Sequence, residues 1–251
     1  MALFYLSDIM RGFPLIQRLH EETKKQGFIP FDDAQWPESW KKVEFKEYPR
    51  MPFVELPPPQ SLGSISFEET LKRRASRRSF DKTKSLTLQE LSALLYWSAG
   101  LKKNDDTQFS NRFYPSGGAR YPLEIYLSLR ESNACAAGIY HYNVRRHVLE
   151  QIHTSEGDKE IRTLPNYPWA ADASILLFVT AIFERSMRKY KERGYRFTQL
   201  EAGGLFQNFY LVSTVLGLPC TGVGVPIDDT VAEILDLSAE EQILVQLAIG
   251  K

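Results

Sequence analysis

The chain has few cysteines, no net charge and no long apolar run, and each of these absences argues against a class of protein. It contains two cysteines among 251 residues, Cys135 and Cys220, with no CxxC pair and no spacing typical of a metal site. Such sparse cysteine favours free thiols in a reducing compartment over a disulfide framework. Basic and acidic residues both number 31, so nothing favours nucleic acid or an anionic membrane surface as a partner.

Membrane insertion and secretion are also disfavoured by the hydrophobic pattern. The longest apolar run, residues 175–182, is too short to cross a bilayer. Residues 1–6 are apolar, but Asp8 interrupts them and no basic segment precedes them, so we expect no secretion signal. The composition therefore predicts a soluble cytoplasmic protein, long enough for one large domain or for one domain with an arm.

Proline is distributed unevenly and divides the chain in two. Prolines are dense between residues 30 and 59 and are interleaved with Trp36, Trp40 and Phe45. This density excludes long helices and central strands, whereas the aromatic residues argue against a free tail. We therefore predict an ordered proline-rich arm over residues 1–60, lying on the body of the protein or on a second subunit, and a main domain over residues 61–251.

The main domain mixes helix and strand patterns without strict βαβ alternation, which predicts an α+β fold. Thr87 and Glu90 form a capping box ahead of a stripe of leucines, and Gly100 ends that helix. Residues 123–130 alternate apolar and polar side chains, which predicts a half-buried strand. The prediction is completed by a hairpin (138–152), a buried strand (174–182), a long helix (199–216), a tight loop (218–224), a short helix (229–235) and a final strand (242–249).

Four arginines and two serines lie within residues 73–81. In an extended segment, Arg74, Ser76 and Arg78 would direct three polar side chains the same way, and guanidinium forks with a hydroxyl group fit phosphate oxygens. The alternative is a solvated basic turn at a helix end, where cations also suit the helix dipole.

Two glycine-containing segments could bring backbone N–H groups close to a ligand. The first is Pro115–Pro122, whose Pro-Ser-Gly-Gly turn permits close approach to a flat or anionic group, although loop turns favour the same residues. The second contains Gly222 and Gly224, which otherwise form an ordinary helix-to-strand turn. With no third glycine and no preceding strand, this pair is not a dinucleotide-binding fingerprint.

Taken in order, Arg74-x-Ser76-x-Arg78, the Pro-Ser-Gly-Gly turn, a late helix and Gly222-x-Gly224 resemble the nitroreductase superfamily of FMN enzymes. More narrowly, Pro115–Pro122 and the segment 189–196 (Lys-Tyr-x-x-Arg-Gly-Tyr-Arg) resemble the SagB-type dehydrogenases, which oxidise azolines to azoles in thiazole- and oxazole-containing peptides. The resemblance covers about residues 60–250. It implies a nitroreductase-like α+β fold with a mixed, mostly antiparallel sheet flanked by helices, a homodimer, and an FMN-binding catalytic domain over residues 61–251.

The resemblance also implies roles for individual residues. The FMN phosphate and ribityl end would be contacted by Arg74, Ser76 and Arg78. The flavin pyrimidine edge would be contacted by Pro115, Ser116 and Gly117. Contacts near flavin N5 and O4 would come from Gly222 and Gly224. Lys189 and Tyr190 would be the catalytic pair, because azoline oxidation needs a base for the ring proton while hydride goes to flavin N5 and oxygen reoxidises the flavin. A solvated helix face is the alternative for this charged stretch.

Three functions remain open on the sequence. The first is an azoline dehydrogenase that acts on a modified peptide, in company with a cyclodehydratase complex. The second is a nitroreductase-like, NAD(P)H-dependent enzyme that reduces small aromatic compounds. The third is a non-catalytic, flavin-bearing scaffold of a peptide-modifying complex. In relatives a basic C-terminal arm reaches the cofactor phosphate, and Lys251 could take that part here.

No metal site is predicted. His141, His147 and His153 recur every six residues, but a turn intervenes and no carboxylate or cysteine cluster joins them, so we expect them to be surface histidines of the hairpin. Cys220 is expected to be a small packed residue rather than a nucleophile.

Overall fold

The computed structural model describes residues 13–24, 36–102, 111–132, 135–163, 167–224 and 228–251. Expectations for residues 1–12 and for Pro30 therefore lie outside the described residues.

One antiparallel sheet organises the described part of the chain. Its strands run in the order β1-β4-β3-β2-β5-β7-β6, and every neighbouring pair is antiparallel. The strands are β1 (Phe53–Glu55), β2 (Leu123–Leu129), β3 (Gly138–Asn143), β4 (Val148–His153), β5 (Ile175–Ile182), β6 (Cys220–Val223) and β7 (Glu241–Ile249). The predicted hairpin is β3–β4, and the predicted buried and final strands are β5 and β7.

Helices flank this sheet, which confirms the predicted α+β class. They are α1 (Pro14–Lys24), α2 (Glu38–Lys41), α3 (Phe67–Arg73), α4 (Leu88–Ala99), α5 (Ser155–Thr163), α6 (Pro168–Ala171), α7 (Glu184–Tyr190), α8 (Arg193–Val215) and α9 (Asp228–Ile234). The capping box is confirmed at the start of α4, where the Thr87 hydroxyl group accepts from the Glu90 N–H and the Glu90 carboxylate accepts from the Thr87 N–H.

Both faces of the sheet are covered, so the prediction of a half-buried strand over 123–130 is wrong. All seven residues of β2 are buried, including the polar Glu124 and Ser128. One face packs against α4 and α8 around residues such as Leu127 and Phe209. The other face carries a second apolar cluster with residues from α5 and α9.

The predicted tight loop 218–224 is only partly a loop. Residues 220–223 form β6, which pairs with β7 and places Gly222 opposite Leu247. A strand at the edge of a sheet needs partners on one side only, and it tolerates the glycine that makes this segment look like a loop. The long helix also begins earlier than predicted, at Arg193.

Part of the predicted arm lies on the sheet. Strand β1 pairs with β4, and the Lys46 ammonium donates to Glu241 Oε2 at 2.5 Å. The Ser92 hydroxyl donates to the Pro57 carbonyl at 2.5 Å. A boundary at residue 60 between arm and domain stays a prediction, but β1 belongs to the same sheet as the other strands.

The expectation of surface histidines is wrong for two of the three. His141 is fully buried, with its ring nitrogens 3.1 Å from Glu124 and 3.0 Å from Glu150. His147 is half-buried and bonds to other side chains, whereas His153 is exposed as predicted. The reason is the covered second face of the sheet, onto which His141 points.

Both cysteines are free and buried, and burial raises the pKa of the Cys220 thiol to about 12, which confirms its packed character. Among the described residues there is no group of three or more His, Cys, Asp and Glu side chains arranged to hold a metal ion. None of the described helices is long and apolar enough to span a membrane.

Candidate functional site

The Pro-Ser-Gly-Gly segment forms a strained turn ahead of β2. Gly118 has φ 62°, which suits glycine, but Ala119 and Tyr121 also adopt positive φ values of 53° and 46°. The Ser116 hydroxyl group accepts from the Tyr121 N–H at 2.8 Å and closes the turn. Non-glycine residues rarely adopt such angles, and backbone strain of this kind concentrates at functional sites.

The structure brings Lys189 and Tyr190 to this turn. A Cβ atom placed on Gly118 would lie 2.5 Å from the Tyr190 hydroxyl and 2.9 Å from Lys189 Nζ. The two side chains, at the end of α7, thus reach the same point of the turn although about 70 residues separate them from it in the sequence. Glycine thus suits the backbone angle of this position, and a side chain here would displace the ends of Tyr190 and Lys189; sequence reasoning missed this contact.

A buried ion pair and a partly exposed one hold α7 beside the turn. Arg185 donates to Glu124 Oε1 at 2.5 Å and to the Tyr121 carbonyl at 3.2 Å. Arg188, one turn further along α7, donates to Glu44 Oε1 at 2.5 Å. Because these bonds join α7 to β2, to the turn and to the segment before β1, the position of Lys189 and Tyr190 is determined by the core.

Tyr190 has an apolar and a charged neighbour. Its ring packs edge-to-face on Phe197, with ring centroids 4.9 Å apart, and Lys189 Nζ lies 5.6 Å from the Tyr190 ring centre. Burial raises the pKa of the Tyr190 phenol, and the positive charge of Arg120 only partly opposes this. The phenol therefore keeps its proton at neutral pH and can act there as a hydrogen-bond donor.

A second group of predicted residues meets around Tyr210 of α8. The Arg74 guanidinium lies 5.5 Å from the Tyr210 ring centre, and Ser76 Oγ lies 3.1 Å from the Tyr210 hydroxyl. The same hydroxyl accepts from the Gly222 N–H at 2.7 Å. Tyr210 thus links the basic stretch to β6, a role that sequence reasoning missed because tyrosine in a long helix carries no local signal. Arg78 is exposed.

Gly222 and Gly224 differ in their surroundings. A Cβ atom at Gly222 would lie 2.7 Å from Phe206 Cζ, so that position has no room for a side chain. A Cβ atom at Gly224 would meet no heavy atom of the described residues within 4 Å. Gly222 thus leaves room for the Phe206 ring, and Gly224 stands clear of the other described residues.

Helix α8 joins the two groups. Near its start, Glu201 lies against the turn, and a Cβ atom at Gly204 would lie 3.9 Å from Pro115. Further along, Phe206 and Tyr210 contact Gly222. From Glu201 to Tyr210 the helix rises about 14 Å. One helix therefore contacts both the arginine and serine beside Tyr210 and the glycine turn.

This donor set fits a molecule with an anionic end and a flat, polar ring. Beside Tyr210, the half-buried Arg74 offers a charged hydrogen-bond donor and the exposed Ser76 offers a neutral one. At the turn, Glu201 Oε1 is buried and has no hydrogen-bond partner among the described residues, as expected where a polar ligand edge is bound. These features suit an oxidoreductase with a phosphate-bearing aromatic cofactor.

The sequence profile described as the nitroreductase family matches residues 71–251, and the chain therefore belongs to this family. Its members are oxidoreductases that usually bind FMN. The predicted superfamily and fold are confirmed, whereas the SagB-type assignment and the roles of individual residues stay predictions.

Two curated relatives illustrate the range of the family. The chain is 34% identical over 199 residues to "Putative nitroreductase MJ1384" of Methanocaldococcus jannaschii, which covers 79% of this chain and 96% of that protein. It is 30% identical over 169 residues to the microcin B17-processing protein McbC of Escherichia coli, which covers 62% of this chain and 58% of McbC.

Solved structures share the fold. A "putative nitroreductase" from Anabaena variabilis superposes with a TM-score of 0.70 at 25% identity, over 93% of this chain and 45% of that one. A chain of the E. coli microcin synthetase complex McbBCD, with truncated pro-MccB17 bound, superposes with a TM-score of 0.63 at 22% identity, over 95% of this chain and 92% of that one.

Proposed function

We propose that this protein is an FMN-dependent dehydrogenase of the SagB type, which oxidises azoline rings to azoles in a modified peptide. The observation that carries the proposal is the convergence of Lys189 and Tyr190 on Gly118 in the strained turn. A reaction that removes both a hydride and a proton from its substrate needs a base at the cofactor, and here two polar side chains reach the turn proposed to hold that cofactor.

The similarity to McbC supports this choice of substrate class. McbC is a microcin B17-processing protein, and the chain spans 58% of its length at 30% identity. A peptide substrate and a cyclodehydratase complex as partner are part of the proposal on this ground, as is the cytoplasm as the place of action.

Eight residues would hold FMN. Arg74, Ser76 and Arg78 would bind its phosphate and ribityl end, Pro115, Ser116 and Gly117 would lie along its pyrimidine edge, and Gly222 and Gly224 would approach it near N5 and O4. When bound, FMN supplies a hydride acceptor at N5 that oxygen can reoxidise.

The chain's own contribution to the chemistry is proton handling at the turn. In its neutral form the Lys189 amine accepts the proton that the azoline ring loses. Tyr190, whose phenol keeps its proton, donates a hydrogen bond that orients the substrate or the amine. The edge-to-face contact with Phe197 and the bonds of Arg185 hold both groups in place without a large loss of side-chain freedom on substrate binding.

The homodimer is also part of the proposal. Two helices that pack against each other each expose a large apolar side chain. Leu200 on α8 is 73% exposed and Phe67 on α3 is 71% exposed. Exposed apolar surface of this kind marks interaction sites, and stable interfaces commonly bury about 1,200–2,000 Å².

The test is flavin reduction by a thiazoline peptide, followed by stopped flow in the wild type, Lys189→Ala and Tyr190→Phe. Both variants should lose about 10²–10⁴-fold in rate, because Lys189→Ala removes the proton acceptor and Tyr190→Phe removes the hydrogen bond that orients the substrate or that acceptor. Flavin content and melting temperature should stay near wild type. The matched control is Lys191→Ala, since Lys191 is an exposed lysine two residues from Lys189. Equal rates in all four proteins would contradict the proposal.

A second function is favoured by the other relative. The chain covers 96% of the M. jannaschii protein named as a nitroreductase, at 34% identity. An NAD(P)H-dependent reductase of small aromatic compounds would oxidise NAD(P)H in the presence of a nitroaromatic substrate, and Lys189→Ala would leave that rate unchanged. Measuring both substrates on the same preparations separates the two functions.

A further inference from the structure

Glu201 lies beneath the Pro-Ser-Gly-Gly turn, on the first half of α8. The residue is only 5% exposed, and its carboxyl group faces the Ser116 hydroxyl and the Gly117 N–H. Its Oε1 atom is buried without a hydrogen-bond partner in the part of the chain that the structure describes. An ionised carboxylate in this position would have lost most of its contact with water, and its Oε1 atom would have no hydrogen-bond partner among the described residues.

The nearby positive charge does not neutralise Glu201 by direct contact. Arg112 is 3% exposed and donates through Nη1 to the Tyr114 hydroxyl at 3.0 Å and to the Leu123 carbonyl at 3.3 Å. Its Nε and Nη2 atoms are buried and lack partners among the described residues. The guanidinium attracts the carboxyl group from a distance, but no ion pair forms between them.

This environment favours the protonated form of Glu201. Burial raises the pKa of this carboxyl to about 8, because the Ser116 hydroxyl, the Arg112 charge and the Gly117 N–H do not offset the loss of water. Other titratable groups near this site are the Tyr114 phenol and the Glu124 carboxylate, both close to Arg112, and Lys189 and Tyr190, which reach the turn from α7 at Gly118.

We propose that Glu201 is a positioning residue whose neutral carboxyl group holds Ser116 and Gly117 in the arrangement that receives the pyrimidine edge of FMN. This inference rests on the proposed function. The neutral acid accepts weakly from the turn and leaves the Gly117 N–H able to turn towards a ligand. The ionised acid accepts strongly from both groups and sets a negative charge beside the carbonyl edge of the ring, so FMN binding weakens.

The first test is FMN affinity as a function of pH, measured by flavin fluorescence with the wild type and three variants. The wild-type Kd should be constant below about pH 8 and rise above it by up to about tenfold per pH unit, because the protonated form binds FMN more tightly. Glu201→Gln, which cannot ionise, should bind as tightly as wild type at neutral pH and show no such rise. Glu201→Ala should bind about tenfold more weakly at every pH, since it lacks the acceptor. Glu233→Gln, an exposed carboxylate on α9, should behave as wild type.

The second test needs no flavin. The infrared carbonyl band of a protonated carboxyl group should be present in the apoprotein at neutral pH, disappear above about pH 8 and be missing in Glu201→Gln. Absence of that band from the wild type at neutral pH, or a pH profile of FMN binding unchanged in Glu201→Gln, would overturn the inference. Failure of the wild type to bind FMN at any pH would instead overturn the proposed function, and the infrared titration would still decide whether Glu201 carries a proton.

Discussion

The hydroxyl group of Tyr190 occupies the space that a Cβ atom of residue 118 would need, 2.5 Å from its ideal position beside Gly118. The absence of a side chain at one position of the turn thus permits the presence of a phenol and an amine from α7. Turn and helix are matched to each other, and a change in either one displaces the groups proposed to handle the substrate proton.

Gly118→Ala should therefore displace Tyr190 and Lys189 and lower azoline turnover by at least about tenfold, because misplacement of about 1 Å at a reacting centre can cost up to 10²-fold. The positive φ of 62° adds about 1–2 kcal/mol of strain. Single-turnover kinetics and thermal melting measure the two effects. Gly63→Ala is the control, since its Cβ atom would meet no described atom within 4 Å. Wild-type turnover in Gly118→Ala would contradict the close contact.

Removing the arginines of the basic stretch should weaken FMN selectively. Arg74→Ala and Arg78→Ala should each cost about 1.5–3 kcal/mol of binding, the range for hydrogen bonds to charged groups, and should leave riboflavin binding nearly unchanged. The measurement is the ratio of the FMN and riboflavin dissociation constants. Arg73→Ala is the matched control, because its guanidinium pairs with Glu69 at 2.5 Å. If replacing both arginines together leaves this ratio unchanged, the basic stretch is a solvated turn and not a phosphate site.

The buried cluster around His141 should give stability a defined pH dependence. Burial alone would raise the pKa of the Glu124 carboxyl group, but the hydrogen bond from His141 and the charge of Arg185 hold that pKa at about 2. The contribution of Glu124 to the free energy of unfolding is therefore present above about pH 4.5 and is lost as pH falls towards 2. Burial opposes protonation of His141, yet the hydrogen bonds to its two carboxylates raise its pKa, so that stabilisation is complete below about pH 6.5 and is lost as pH rises through the raised value.

Unfolding by urea across pH should therefore show a maximum between these limits. His141→Gln should lower the free energy of unfolding by about 3–5 kcal/mol near that maximum, because it leaves buried carboxylates uncompensated. His153→Gln, on the same hairpin but exposed, should change it by less than about 0.5 kcal/mol. Similar values for both variants would show that the buried cluster is energetically neutral.

The proposed dimer should depend on Leu200. Leu200→Asp should yield a monomer in light scattering, with little loss of melting temperature for the isolated subunit, because surface substitutions usually change stability by less than about 0.5 kcal/mol. Met51→Asp, which alters an exposed apolar residue before β1, should remain a dimer. A dimer in both variants would place the interface elsewhere.

Local sequence signals predicted those elements that local physics determines. The capping box at Thr87 and the hairpin β3–β4 were predicted because helix caps, and two strand-like runs on either side of Asn143, are properties of a few consecutive residues. Strand β6 was missed because its partner, β7, lies more than 20 residues further along and because Gly222 gives no strand signal.

The buried polar residues were missed for a similar reason. Glu124 alternates with apolar residues as a solvent-facing side chain would, and only coverage of the second sheet face buries it. Glu201 looks like any helix surface glutamate, and its burial depends on a turn about 85 residues earlier. The motifs identified the residue types of the candidate site, whereas tertiary contacts decide which of them meet.

The bond between Lys46 and Glu241 joins residues 195 positions apart, and it has a consequence for the growing polypeptide. On the ribosome, the segment around Lys46 is synthesised well before Glu241, which opens β7. The segment around Lys46 therefore lacks this partner until β7 has emerged, and the contact forms late. Such long-range closure slows folding and lengthens exposure of unpaired strand edges, so expression at lower temperature or with chaperones should raise the soluble yield.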